Sequence, residues 1–256
     1  MQLTVEQILA FYIQKLKVFY EKAEIPDKDM VISIPSYASN TERQAILDAA
    51  EIAEINCLRV INESTAITYN YGFFRQKDLS KDKKRTVAFV DFGHSKCTIT
   101  IASFLQGEAQ ILVHNSDRNL GGRNFDLEIV NVIGKEFADK YGDDPLKAPR
   151  CRLRMFEAAE KARKMLSSDT ESNINIDYLL NEEDLNRKLG REEFEKLIDP
   201  HVRRFAALIT ETLQKASKFT HFPTLFTNSN QTRPNLVNYL FLLVSCPINL
   251  TFHLSF

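Results

Sequence analysis

The chain has 256 residues, a formal net charge of −1, and 44% hydrophobic against 26% charged side chains. That balance belongs to an ordinary globular protein, long enough for one large domain or two small ones. It offers no electrostatic ground for holding nucleic acid or an anionic membrane. The four cysteines, Cys57, Cys97, Cys151 and Cys246, are too few and too scattered for a disulfide scaffold, a zinc knuckle or a redox pair, and point to a reducing compartment.

Residues 1–24 form an amphipathic helix pattern carrying acids and lysines, so no signal peptide is expected in them. Thr4-Val5-Glu6-Gln7 has the form of a capping box, after which Val5, Ile8, Leu9, Tyr12, Leu16 and Phe19 recur with helical period until Pro26 and Asp27. Met30 to Ile34 is a buried strand stopped by Pro35, Ser39-Asn40-Thr41-Glu42 starts a helix to Ala53, Leu58 to Ile61 is a second strand, and Glu63 to Phe74 a helix. Strand–helix–strand–helix is the order of an α/β layer with parallel pairing.

The polar stretch Gln76 to Arg85 separates this layer from a different one. Thr86 to Val90, Thr98 to Phe104 and Ala109 to His114 read as an antiparallel meander with turns at Asp91 to Ser95 and at Gly107. Helices follow over Asn124 to Tyr141 and Pro149 to Ser167, then a strand Asn173 to Tyr178 and helices over Arg191 to Lys218. Composition then breaks: of 33 basic and 34 acidic residues, only Arg233 lies beyond Phe219. The run Leu236 to Phe252 is apolar, but it falls short of the about 20 residues of a bilayer span and holds Pro247. The expected division is a partial first lobe over 1–82, a partial second lobe over 83–219, and a non-homologous tail over 220–256, either disordered or the product of a translated intron or a shifted frame.

Four places have side chains suited to chemistry. In the turn Asp91-Phe92-Gly93-His94-Ser95, an acid ends an apolar strand and glycine permits backbone amides to converge on an anion, while the acid holds a hydrated divalent cation. Read alone, such a turn is more often only a turn. The triplet Asp91-Phe92-Gly93 also occurs in protein kinases, but no glycine-rich loop, strand lysine or His-Arg-Asp loop precedes it, and the P-loop pattern is absent. Gly121-Gly122 is a second glycine turn opening a helix. Glu160, Arg163, Lys164 and Ser167 share one helix face at i, i+3, i+4 and i+7, a stripe able to hold a base and ribose or simply a solvated face. Pro35 ends a strand and Arg43 lies eight residues on. His114 and His201 have no partner at metal-ligand spacing, and no serine-nucleophile elbow occurs.

In order, these pieces resemble the second part of the nucleotide-binding domain of the 70-kDa heat-shock chaperone superfamily, from about Leu3 to Lys218. The resemblance rests on Val31 to Pro35, Arg43-Gln44-Ala45, Arg59-Val60-Ile61-Asn62-Glu63, Tyr71-Gly72, Asp91-Phe92-Gly93, Leu120-Gly121-Gly122, Phe125-Asp126, Ala159 to Ala162 and Leu166-Ser167-Ser168. It implies an α/β fold of the actin-like ATPase (ribonuclease-H-like) kind: a two-lobed nucleotide-binding domain, cut at both ends. By that resemblance ATP or ADP is bound with Mg. Asp91 sits near the metal and its waters. Gly93, His94, Ser95 and Lys96 face the β- and γ-phosphates, and Gly121 and Gly122 approach from beyond. Glu160, Arg163, Lys164 and Ser167 hold adenosine. Pro35 and Arg43 match an interlobe switch, with Glu63 at the lobe interface.

Departures from the ordinary pattern resemble the large, 110-kDa branch. Ordinary members read Asp-Leu-Gly-Gly-Gly-Thr-Phe-Asp at the second phosphate turn, whereas Asp91 to Thr98 has the Gly-His-Ser form. Thr98 replaces an acid, Lys96 a threonine and Ser64 a proline. The resemblance implies weak hydrolysis with ATP binding retained, and, for the parent protein, nucleotide exchange on 70-kDa chaperones, contact with unfolded clients, and a cytoplasmic or also nuclear location, without nucleic acid or membrane as partner. The first phosphate hairpin, a catalytic lysine and a third glycine turn have no counterpart in these residues, so weak ATP binding and no turnover are expected of the chain alone. The alternatives are a fragment of a conventional ATP-hydrolysing chaperone and a non-functional truncated gene product.

Overall fold

The computed structural model describes residues 2–22, 29–219 and 240–245. They belong to two compact units, Met1–Arg85 with Phe104–Ile111, and Thr86–Ser103 with Leu112–Phe256.

In the first unit, α1 (Val5–Lys22) opens on the reciprocal cap expected: the Thr4 amide donates to Gln7 Oε1 at 3.0 Å and the Gln7 amide to Thr4 Oγ1 at 3.3 Å. The closure expected at Pro26 and Asp27 lies outside the described residues. β1 (Asp29–Ile34) and β2 (Asn56–Asn62) pair in parallel, with Ile34 opposite Asn62. A parallel pair needs a crossover, here α2 (Asn40–Ile52), capped by Ser39 through its Oγ on the Glu42 amide and the Glu42 carboxylate on the Ser39 amide. Ala49 and Ala53 have no bulk to hold the helices apart, so α2 closes on Ala10 and Ile13 of α1 and on Ile55. α3 (Glu63–Phe74) leaves β2 without a loop, and its Tyr71 ring meets Phe104 at 4.9 Å.

The second unit is built on β3 (Arg85–Phe92), β4 (Cys97–Leu105) and β5 (Glu108–Asp117), whose outer hairpin tip belongs to the first unit. β4 is buried along nearly its whole length, as a strand covered on both faces must be. Onto this sheet pack α4 (Gly122–Tyr141) and α5 (Pro149–Met165), then the antiparallel hairpin β6 (Glu171–Leu180) and β7 (Glu183–Gly190), and α6 (Arg191–Ala216). β7 is not anticipated from sequence, because only Leu185 and Leu189 of Glu-Asp-Leu-Asn-Arg-Lys-Leu-Gly are buried apolar residues. It is a strand because Asn181 and Glu182, both at positive φ (52° and 63°), turn the chain back onto β6. The segment expected as several helices after Arg191 is one helix running through Pro200.

Of residues 220–256 the structure describes only β8 (Leu240–Ser245), which lies parallel to β3, Val87 opposite Leu240, and gives the sheet order β5-β4-β3-β8. The rest of that stretch, including the expected disorder, lies outside the described residues. Among the described residues no helix is long and apolar enough to cross a membrane.

Phe125, Ile129, Ile133 and Phe137 recur every four residues on α4 and meet Met155, Ala159 and Ala162 of α5, Ile174 and Leu189 of the hairpin, and Ile198 of α6 in one core. Each fully buried side chain of this kind contributes about 1.5–3 kcal/mol. Met155 is 0% exposed and Leu153, two residues away, 61%. Met155→Ala is expected to cost about 2–5 kcal/mol in urea unfolding, and Leu153→Ala within about 0.5 kcal/mol of zero. Equal losses would place the core elsewhere.

Candidate functional site

β3 delivers Asp91 and Phe92 to the end of the sheet. Phe92 points inward, stacked on Phe125 at 5.5 Å and edge-on to Phe205 at 5.1 Å, which anchors the following turn to α4 and α6. Asp91, its neighbour on the opposite side of the strand, is half-buried. The turn closes when the Gly93 amide donates to the Lys96 carbonyl at 2.9 Å. His94 is exposed, and Ser95 and Lys96 are half-buried.

The second glycine turn is bonded to the first. The Gly122 amide donates to Gly93 O at 3.0 Å and the Arg123 amide to His94 O at 2.8 Å. These are two of the orphan donors that begin α4. The Gly121 amide goes to Asn124 Oδ1 at 2.9 Å. A Cβ on Gly121 would stand 2.5 Å from His94 O, so the approach of the two backbones admits glycine alone.

One turn into α4, Asp126 is 2% exposed and is gripped by Arg163 of α5, itself 1% exposed, through Nε at 2.6 Å and Nη2 at 3.2 Å. Burial pushes the Asp126 carboxyl above the usual aspartate range, against the pull of the Arg163 guanidinium; the Glu160 charge adds to the rise and His94 opposes it. Arg163 Nη2 also lies 3.9 Å from Glu160 Oε1, and Glu160 pairs with Lys164 at 2.8 Å. Ser167 Oγ donates to the Lys164 carbonyl at 2.6 Å. The hydrogen bond from Lys164 holds the Glu160 carboxyl below the ordinary glutamate value, with partial desolvation opposing it.

The residues expected on one helix stripe therefore divide. Arg163 turns inward to Asp126, while Glu160 and Lys164 stay at the surface. Asp126 is the residue that sequence reasoning left without a role. Its signal was an acid on the apolar face of α4, between Phe125 and Ile129, where a charge needs a partner. Among the described residues no group of three His, Cys, Asp or Glu side chains gathers as for a metal.

In the first unit, Pro35 and Arg43 are linked through the backbone of Ala38, and Arg43 reaches Asn62. The Ala38 amide donates to Pro35 O at 2.9 Å, Arg43 Nε to Ala38 O at 3.2 Å, and Arg43 Nη2 to Asn62 Oδ1, one residue before Glu63, at 2.8 Å. The Ser36 and Ser64 hydroxyls lie 2.7 Å apart.

Comparison with known proteins defines the class. Residues 1–221 match the family model described as Hsp70 protein. The chain belongs to the Hsp70 family, and its mixed α/β fold is the actin-like ATPase fold of that family. Similar proteins include a heat shock protein homolog of Lachancea kluyveri, 38% identical over 82% of this chain and 31% of the relative. The heat shock 70 kDa protein 16 of Arabidopsis thaliana is 38% identical over 75% of this chain and 25% of its own length. The human heat shock 70 kDa protein 4L is 34% identical over 83% of this chain and 26% of its own length. These relatives agree with the large-branch resemblance, and the chain spans less than a third of the length of each.

Arg163→Met leaves the Asp126 carboxylate buried without its partner and is expected to destabilise the second unit by about 3–5 kcal/mol in urea unfolding. The double variant Asp126→Leu/Arg163→Met should recover most of that loss, and equal instability of both variants would deny the pair its role. Lys164→Met should move the Glu160 carboxyl up toward 4.5 in a carbon-detected NMR titration. Because the folded value is depressed, the stability this group adds is present above the unfolded pKa and fades as pH falls through the folded one. An unmoved titration would contradict the pairing.

Proposed function

We propose that these residues form the second part of the ATP-binding domain of a 110-kDa-type chaperone, whose whole protein promotes nucleotide exchange on 70-kDa heat-shock chaperones in the cytoplasm and engages unfolded clients. The observation that carries the reading is the pair of bonds Gly122 N to Gly93 O and Arg123 N to His94 O. They join two glycine turns that lie far apart in sequence, and the Asp126–Arg163 pair continues the connection to the Glu160 helix. In this reading Asp91, the two glycine turns and the polar stripe together serve a magnesium-bound adenine nucleotide.

Asp91 fits magnesium of a particular kind. With no cluster of three candidate ligands among the described residues, a single carboxylate suits an ion that arrives with the nucleotide, coordinated mainly by phosphates and water. His94, Ser95 and Lys96 line the phosphate side. Gly121 and Gly122 contribute their lack of side chain, since their amides are already donated within the protein. Glu160, Lys164 and Ser167 face adenosine, and Arg163 acts from behind through Asp126.

Two features support binding that is weak and hydrolysis that is absent. The amides of Gly93, Gly122 and Arg123 would have to exchange existing partners to reach a phosphate. Thr98, at the position where ordinary members carry an acid, is 6% exposed and supplies only a hydroxyl. This favours an exchange role over that of a conventional hydrolysing chaperone.

The experiment has two arms. Isothermal titration of the purified chain with ATP and Mg should show no binding tighter than about 1 μM, and no phosphate release. The longer parent should accelerate release of labelled ADP from a 70-kDa chaperone. A parent that hydrolyses ATP steadily and leaves that release unchanged would overturn the exchange reading.

A further inference from the structure

α1 and α2 each open on a reciprocal side-chain cap, at Thr4 with Gln7 and at Ser39 with Glu42. α3 does not, although its N-cap residue is of the right kind. Asparagine is among the best N-cap residues, and Asn62, at φ −74° and ψ 141°, has the extended backbone that such a cap uses. Ser39 caps α2 from a similar conformation, φ −67° and ψ 165°. The Asn62 side chain nevertheless makes no cap hydrogen bond.

Its oxygen is engaged elsewhere. Arg43 Nη2 donates to Asn62 Oδ1 at 2.8 Å, while Arg43 Nε donates to Ala38 O at 3.2 Å. A guanidinium offers only donors, so the group facing it is the Asn62 oxygen, the one atom of that side chain able to accept a helix N–H. A hydrogen bond from a charged donor is about twice as strong as a neutral one, so Arg43 outcompetes the Ser64 and Thr65 amides for that oxygen. The Ser36 and Ser64 hydroxyls, 2.7 Å apart, strap the same turn from the side. The first turn of α3 is thus tied to the β1–α2 turn and to α2 rather than closed by its own cap.

We propose that Asn62 is a two-position cap. While Arg43 is engaged, the Asn62 side chain ties the start of α3 to α2. When Arg43 withdraws, the freed Oδ1 turns onto the Ser64 or Thr65 amide and tightens the first turn of α3. Arg43 and Asn62 are both half-buried, so neither is locked in a closed core. The start of α3 therefore senses where Arg43 lies, through a residue that can serve either partner but not both. The inference does not depend on nucleotide binding.

Hydrogen exchange of the Ser64 and Thr65 amides, followed by NMR in the full chain, reads the cap directly. With Arg43 in place, Asn62→Ala should change that exchange by less than about twofold, because the oxygen it removes is not on those amides. Arg43→Met should slow it by about 2- to 30-fold, the range expected of an asparagine cap. The double variant Arg43→Met/Asn62→Ala should lose that slowing. Asn62→Ser separates the two uses: a serine hydroxyl caps as well but is too short to reach Arg43, so exchange should slow even with Arg43 present. Arg43→Met that leaves exchange unchanged, or Asn62→Ala that speeds it equally with and without Arg43, overturns the proposal. Should Arg43→Met also loosen α2, seen as faster exchange at Ala49, Asn62→Ser decides. Exchange in Asn62→Ser no slower than in Asn62→Ala then overturns the two-position cap.

Discussion

The arrangement of the second unit depends on a carboxylate placed where water cannot reach it. Asp126 sits at 2% exposure on the apolar face of α4, and Arg163 answers it from α5 at 1% exposure. Either charge alone in that core costs several kcal/mol, whereas together, with two hydrogen bonds in a fork, the cost is largely offset. The pair therefore fixes the register between two helices that hydrophobic contacts would only hold together. Because α4 begins at the glycine turn and α5 carries the polar stripe, that register sets the distance from Gly122 to Glu160.

The turn-to-turn bonding works by a similar constraint. The first amides of a helix need acceptors, and at α4 two of them find the carbonyls of Gly93 and His94. The helix is thereby capped by the turn that follows β3. The two turns approach so closely that Gly121 tolerates no side chain. Phe92, wedged between Phe125 and Phe205, keeps this turn from moving away as a loop.

The first unit is held differently. Its parallel pair β1–β2 is covered by α1 and α2 on one face, while Val31 (54% exposed) and Leu58 (60%) lie open on the other. Parallel strands are ordinarily buried on both faces. Together with the exposed apolar side chains of α1, this gives the unit apolar surface that its own described residues do not cover, and makes it the part of the molecule most inclined to association.

Much of this was legible in the chain itself. The reciprocal caps at Thr4 and Ser39, the parallel strand–helix–strand, the hairpin at Asp91 to Ser95, and the helices after Gly122 and Pro149 follow from local chemistry: capping oxygens, β-branched runs, glycine turns and a four-residue apolar period. The family follows from motifs kept in order. What local chemistry cannot express is which polar group a buried residue meets. Arg163 reads like its surface neighbours Glu160 and Lys164, and only packing of α5 on α4 turns it inward to Asp126. β7 has too few apolar residues to announce itself and exists because β6 is there to pair with. The union of two distant glycine turns was likewise decided by tertiary structure, since hydrogen bonds between residues 93 and 122 depend on how a sheet and a helix meet, which no window of sequence contains.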